Sequence, residues 1–181
     1  MHPQKQRLAW IVVVGGAAVL TSYAYSLGFD PATQTGLWGG VPAGLQPAYV
    51  TSMALATAGF FVFTYFLLFP VDADRVRIAG RLRDRLFQGL YLMILVPSAL
   101  WLPLTSAMVG QPSSLLWLGI PGVLAVVGLG SVGLLLALLG LRLRQPARVY
   151  WLAVAGSVAF SFQTAVLDLF VWTAQFPVGS G

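Results

Sequence analysis

The residue of this chain best placed to do chemistry is a single carboxyl inside an apolar run. Asp168 lies in the run from Val149 to about Thr173, with Ser157, Ser161, Thr164 and Trp172 spaced around it at steps of four, three, four and four. On a helix that spacing gathers all five on one face. A polar stripe in an apolar helix must face protein or water, so the Leu, Val and Phe positions are expected to turn outward. An Asp at the centre of a bilayer costs about 2.5–3.5 kcal/mol, which makes it a functional candidate by default. With the run centred near Phe162, Asp168 sits about 9 Å towards the carboxyl end at 1.5 Å per residue. Two states are open to it: a protonated carboxyl donating to a carbonyl or Tyr oxygen, or a carboxylate hydrated from outside. A Tyr or Thr hydroxyl is the expected partner, and Gln163 falls off the stripe and needs a separate one. The plainer use of Asp168 is as an interhelical hydrogen bond, worth ~0.6 kcal/mol.

A second run offers a matching face, with Tyr91, Ser98, Trp101 and Thr105 at steps of seven, three and four. Pro97 and Pro103 each remove a backbone donor and crowd the carbonyl four residues earlier, so a kink near Met93 and Ala99 is expected. Tyr23 and Tyr25 end the first run, Tyr49 begins the second, and Trp117 stands near the start of the fourth. Trp and Tyr collect at membrane interfaces whatever the function. Taken with Asp168, they also describe a pocket with apolar walls and few polar anchors. The expected ligand-binding set is Asp168, Thr164, Ser161, Trp172, Trp101, Thr105, Ser98, Tyr91, Tyr23 and Tyr25.

Other chemistries are removed by residue type. The one histidine is His2, before the first run, which leaves no His for a buried haem, a zinc site or a general base. No lysine lies within a run, and there is no cysteine. No glycine-rich phosphate loop or nucleophile elbow occurs. Neither a cofactor nor a metal is therefore expected. Asp30, in the connection after the first run, could join Asp168 only if that connection folded over it.

These residues must be held by five apolar runs: 8–27, 48–69, 86–109, 114–141 and 149–173. The chain is 58% hydrophobic and 8% charged, too little polar surface for a soluble domain of 181 residues. A bilayer core of ~30 Å takes about 20 apolar residues as a helix. Runs of this length facing lipid are helices, because open backbone cannot be. The expectation is all-α, one domain, a five-transmembrane-helix bundle. A signal peptide competes for the first run, but its length favours a retained span.

All ten Lys and Arg residues fall before the first run, between the second and third, or between the fourth and fifth. Cytoplasmic loops carry the excess of positive charge, so the amino terminus is expected inside and the carboxyl terminus outside. The net charge of +5 does not imply nucleic acid, since every cation flanks an apolar run. Arg75, Arg77, Arg81, Arg83 and Arg85 are expected to meet lipid headgroups, at ~1 kcal/mol each. The connection after the first run is rich in glycine and proline around Trp38, either a passive loop or a lid. In the fourth run, Gly133 and Ala137 have the small-xxx-small spacing of close helix packing, internal or between copies; low polarity puts this run at the periphery, one side on lipid.

Size, helix count and six tryptophans resemble those of the translocator (tryptophan-rich sensory) proteins. The early connection reads Gly36-Leu37-Trp38-Gly39-Gly40, without that family's proline-rich Trp motif, so the likeness is compositional and carries no residues across. The first functional expectation is a non-enzymatic protein binding or translocating a small hydrophobic or amphipathic ligand between the third and fifth spans. The second is an accessory subunit of a larger membrane complex. The third is a membrane enzyme acting on a lipid or isoprenoid with Asp168 as general acid. Expected partners are the lipid bilayer, a hydrophobic small molecule, and a second copy or larger complex, in a bacterial cytoplasmic membrane. Because the chain has no native thiol, orientation is directly testable. A Gly80→Cys variant is expected to react only with reagents reaching the cytoplasmic side; labelling from outside would invert the topology.

Overall fold

A computed structural model of the chain describes residues 3–29, 36–70, 82–141 and 145–176, apart from the side chains of residues 29 and 82–84. Among the described residues the backbone is helical and holds no strand. Helix α1 is Pro3–Phe29, α2 Gln46–Leu68, α3 Leu82–Gly110 and α4 Ser114–Leu139. The last helix begins as α5, Ala147–Ser161. It widens into a π-helix over Phe162–Trp172, here π1, and closes with the turn Thr173–Gln175, here α6. Five helices are long and apolar enough to cross a membrane, each overlapping one expected run. Arg75, Arg77, Arg81, Asp30, Asp72, Asp74, Arg142 and Arg144 lie outside the described residues, as does the side chain of Arg83; Arg85 is exposed.

Helix ends follow local chemistry. Pro47 sits in the first turn of α2, where its missing N–H removes no helical bond. Pro146 precedes α5 in extended conformation, and Gly140 closes α4. Helix α3 continues through Pro97 and Pro103, and α4 through Pro121.

Around the bundle the order is α1, α3, α4, α5 with π1, then α2, with α1 and α2 touching only lightly. Helix α1 is the peripheral one: only Leu8 and Ser26 of its described side chains are buried. The expectation that α4 sits at the edge is met only on one face. Leu118, Leu129 and Leu136 are exposed, while Ile120, Leu134 and Leu138 are fully buried between α3 and α5. On the last helix Val158, Phe162, Val166 and Phe170 are exposed as expected, but Val154 is buried and Phe160 packs inward on Phe63, so not every Val and Phe turns outward.

Side chains fill the bundle in two layers. At one end Phe63, Phe66, Tyr91, Ile94, Leu134, Leu138 and Tyr150 form a buried cluster that reaches Leu8. Lys5 Nζ donates to the Phe69 carbonyl at 3.2 Å there, tying the start of α1 to the end of α2. At the other end Val41, Tyr49, Trp101, Met108, Ile120, Trp172 and Phe176 form the second cluster. These are the basic end and the aromatic end below.

Small residues set two helix approaches. At the crossing of α2 and α5, a Cβ on Gly156 would lie 2.7 Å from the Gly59 Cα, and one on Gly59 would run into the Gly156 carbonyl. Gly133 packs inward, where a Cβ would come 2.7 Å from Leu90 Cδ2, and Gly128 packs on Ala165. The small-residue spacing of α4 is thus used inside the bundle. Gly59→Ala and Gly156→Ala are each expected to lower stability by about 1–3 kcal/mol through overpacking against backbone. Gly122, with nothing within 4 Å of its Cβ position, is the control. Thermal unfolding of the purified variants measures the difference; a Gly59→Ala protein as stable as Gly122→Ala would refute the crossing.

Candidate functional site

At the aromatic end, π1 changes the geometry on which the stripe argument relied. A π-turn bonds i to i+5 instead of i+4, so residues five apart come onto one face. Gln163 and Asp168 are five apart, and Gln163 Nε2 donates to Asp168 Oδ1 at 2.7 Å. Two expectations are corrected here. The partner of Asp168 is a side-chain amide rather than a Tyr or Thr hydroxyl, and Gln163, set aside as off the stripe, is that partner. The α-helical spacing assumed from sequence does not hold past Ser161.

Hydroxyls serve the carbonyls along the widened turns. Thr164 Oγ1 lies 2.9 Å from the Phe160 carbonyl and 2.8 Å from Ser131 Oγ of α4. Ser131 donates to the Gly128 carbonyl at 2.8 Å, so the single Thr164 hydroxyl proton is shared between Ser131 Oγ and the Phe160 carbonyl. Thr173 Oγ1 donates to the Asp168 carbonyl at 3.3 Å, and Tyr49 Oη of α2 donates to that of Leu167 at 3.0 Å. A buried acceptor without a partner costs about 1–3 kcal/mol, so these bonds help hold the register change in place.

Aromatic rings gather at this end of the bundle. Tyr49 of α2 reaches the carbonyl of Leu167, the residue before Asp168. Tyr23 packs on Trp101 with ring centroids 6.0 Å apart, and Trp101 meets Trp172 edge-to-face at 5.8 Å. Phe176 lies 4.7 Å from Trp172 and stacks on Trp117 at 5.8 Å. The expected facing of the third and fifth spans is therefore made by tryptophans.

The segment between α1 and α2 closes over this end. Trp172 Nε1 donates to the Leu37 carbonyl at 2.8 Å, and the Gly40 amide donates to the Gln175 carbonyl at 2.8 Å. A side chain at 40 would collide with that same carbonyl. Gly39 takes a φ of 52°, open to glycine at little cost, and Trp38 meets Tyr49 edge-to-face at 6.3 Å. The described part of this connection is thus bonded at two points to the end of the last helix.

The remaining expected residues separate. Thr105 is buried and bonds back to the Trp101 carbonyl at 2.9 Å. Ser161 is buried, and Ser98 is half-buried on the same side as Trp101. Tyr91 lies in the basic-end cluster and shares a 2.8 Å hydrogen bond with Thr64, so it stands below the site. Tyr25 is 69% exposed on α1 and is not brought to the group. Sequence reasoning left Gln163 and Tyr49 out of the binding set. The signal available was the density of hydroxyl and amide side chains between Ser157 and Thr173.

Five buried side-chain polar atoms have no hydrogen-bond partner among the described residues: Trp101 Nε1, Ser106 Oγ, Ser157 Oγ, Ser161 Oγ and Gln163 Oε1. Gln163 is 4% exposed and Trp101 7%. No group of three or more His, Cys, Asp or Glu able to hold a metal occurs among the described residues.

Five helices of this length and apolarity suit a multi-pass membrane protein. Within that class, no family model, no curated protein and no solved structure matches the chain.

The fastening of the cover has a direct check. Trp172→Phe keeps most of the ring but removes the bond to Leu37, at an expected loss of about 1 kcal/mol. The Gly40 amide should then exchange with deuterium several-fold faster, while amides of α4 are unchanged. Equal exchange at Gly40 would show that the Trp172 indole N–H does not hold the cover.

Proposed function

We propose that this chain crosses the membrane five times, amino terminus in the cytoplasm, and binds a small amphipathic molecule at the aromatic end of its bundle. In that orientation the aromatic end lies in the outer half of the bilayer, under the cover formed around Trp38. The observation that carries the reading is the set of buried polar atoms left without partners there, Trp101 Nε1, Gln163 Oε1 and Ser161 Oγ. Leaving such groups unmatched costs about 1–3 kcal/mol each, so a site that repeats the omission is suited to a visitor with a polar head. The aromatic walls suit its apolar part.

Binding is favoured over translocation by the other half of the bundle. Phe60, Phe63, Tyr91 and Phe160 pack there with ring centroids 5.4–6.3 Å apart. Crossing that layer would require several large rings to move together. An enzymatic role with Asp168 as general acid has less support: its partner is an amide, which neither gives nor takes a proton near neutral pH.

The accessory-subunit reading rests on α1. Its exposed Trp10, Val13, Val14 and Leu20 give that helix an apolar outer face which the bundle does not cover. Gentle solubilisation that recovers a stoichiometric second protein on α1 would favour it.

The binding proposal is tested by mass spectrometry of the organic extract from purified protein. Wild type is expected to carry a small molecule near one per chain, and Trp101→Ala to carry roughly a tenth as much, the effect of about 1.4 kcal/mol. Equal content in both proteins, or none in wild type, would overturn the proposal.

A further inference from the structure

We infer that the polar head this site takes is a protonated amine, so that the ligand is a lipophilic ammonium ion bearing at least one N–H. The inference rests on the binding reading above and adds to it the charge and donor count of the ligand.

The first reason is charge. Asp168 is the only ionisable acid within the five spans, and no Lys or Arg occurs between Arg148 and the carboxyl terminus or between Arg85 and Arg142. Arg148 is twenty residues back along the same helix, about 30 Å at 1.5 Å per residue. The other cations lie in the first two turns of α1, between α2 and α3 or in the first turn of α3, or between α4 and α5. Among the described residues the carboxylate form of Asp168 has one side-chain donor, the Gln163 amide, and no Lys or Arg beside it.

The second reason is the sense of the unfilled hydrogen bonds. Gln163, 4% exposed, spends one N–H on Asp168 Oδ1, and its carbonyl oxygen has no donor among the described residues. Turning the amide over would set its oxygen against the carboxylate and strand the N–H group instead, so the observed sense is the favourable one. Asp168 and Gln163 together offer two acceptors five residues apart on one face. An ammonium N–H fills such a pair; a carboxylate, a phosphate or a sulfate is repelled by it.

The third reason is the wall. Rings attract a cation through the negative faces of their quadrupoles, most strongly where water is excluded. Tyr49 donates to the carbonyl of Leu167, the residue before Asp168, at 3.0 Å, and Trp172, which follows Asp168 by one turn, packs edge-to-face on Trp101. A carboxylate beside aromatic rings favours a cation, whereas a neutral alcohol would bring a single O–H donor and no charge.

The test compares three decyl probes on the full chain in nanodiscs of zwitterionic lipid, which itself holds no net charge to attract them. Decylamine is a cation with N–H donors, decyltrimethylammonium a cation without them, and 1-decanol neutral. Binding is followed by calorimetry. Decylamine is expected to bind about tenfold more tightly than decyltrimethylammonium, and decanol more weakly than both. Asp168→Asn, close to isosteric and still able to pair with Gln163, should bring the three probes within about threefold of one another, the size left when the charge term is gone. Decanol binding wild type as tightly as decylamine would overturn the ammonium inference yet leave the pocket standing. No saturable binding of any probe would sink the pocket and the inference together. If Asp168→Asn fails to fold, the ranking of the probes on wild type still decides.

Discussion

Inside an apolar bundle each backbone donor and acceptor must be occupied, and a helix that departs from regular bonding needs partners for what it releases. The fifth helix departs over Phe162–Trp172. Thr164, Thr173 and Tyr49 hydroxyls meet the carbonyls of Phe160, Asp168 and Leu167 along that stretch. This exchange of hydroxyls for regular bonds is what turns Gln163 onto Asp168. Without it the carboxyl would face the bundle with no amide beside it, and the amide would be stranded on another side.

The two ends of the bundle then serve different purposes. At the basic end, rings and leucines close against one another, with Tyr91 matched to Thr64 and Tyr150 to the Leu138 carbonyl. Polar groups there are few and mostly satisfied. At the aromatic end, large rings meet edge-to-face, and an edge-to-face pair leaves ring faces free for other contacts. Rings of that size also hold helices apart, so α3 and π1 meet through Trp101 and Trp172 instead of through their backbones. The close approach at Gly59 and Gly156 works in the opposite sense, drawing α2 onto α5 and so setting Tyr49 where it reaches Leu167.

Much of this was legible in residue order. The number and limits of the helices follow from runs of apolar residues, because a backbone surrounded by hydrocarbon has few ways to satisfy itself. The inward side of α3 followed from the spacing of Tyr91, Trp101 and Thr105, all of which are buried. The exposed side of the last helix followed from four of its Val and Phe positions, although Val154 and Phe160 pack inward. Tyr25 was misjudged because a residue near a helix end can face either way, and only neighbouring helices decide. Gln163 was misjudged because helical spacing was carried through a segment that is not α-helical.

Composition and order alone thus determined that the chain is helical, that five helices are long and apolar enough to span a bilayer, and that one carboxyl is stranded among them. These are local properties, set by residue type and by the period of the α-helix. Tertiary structure decided which side chain answers that carboxyl, which rings wall it, and that the Leu37 and Gln175 carbonyls fasten the segment above. Such pairings depend on contacts between residues as far as 135 apart in the chain. A one-residue change of helical period, too small to read from hydropathy, was enough to redirect them.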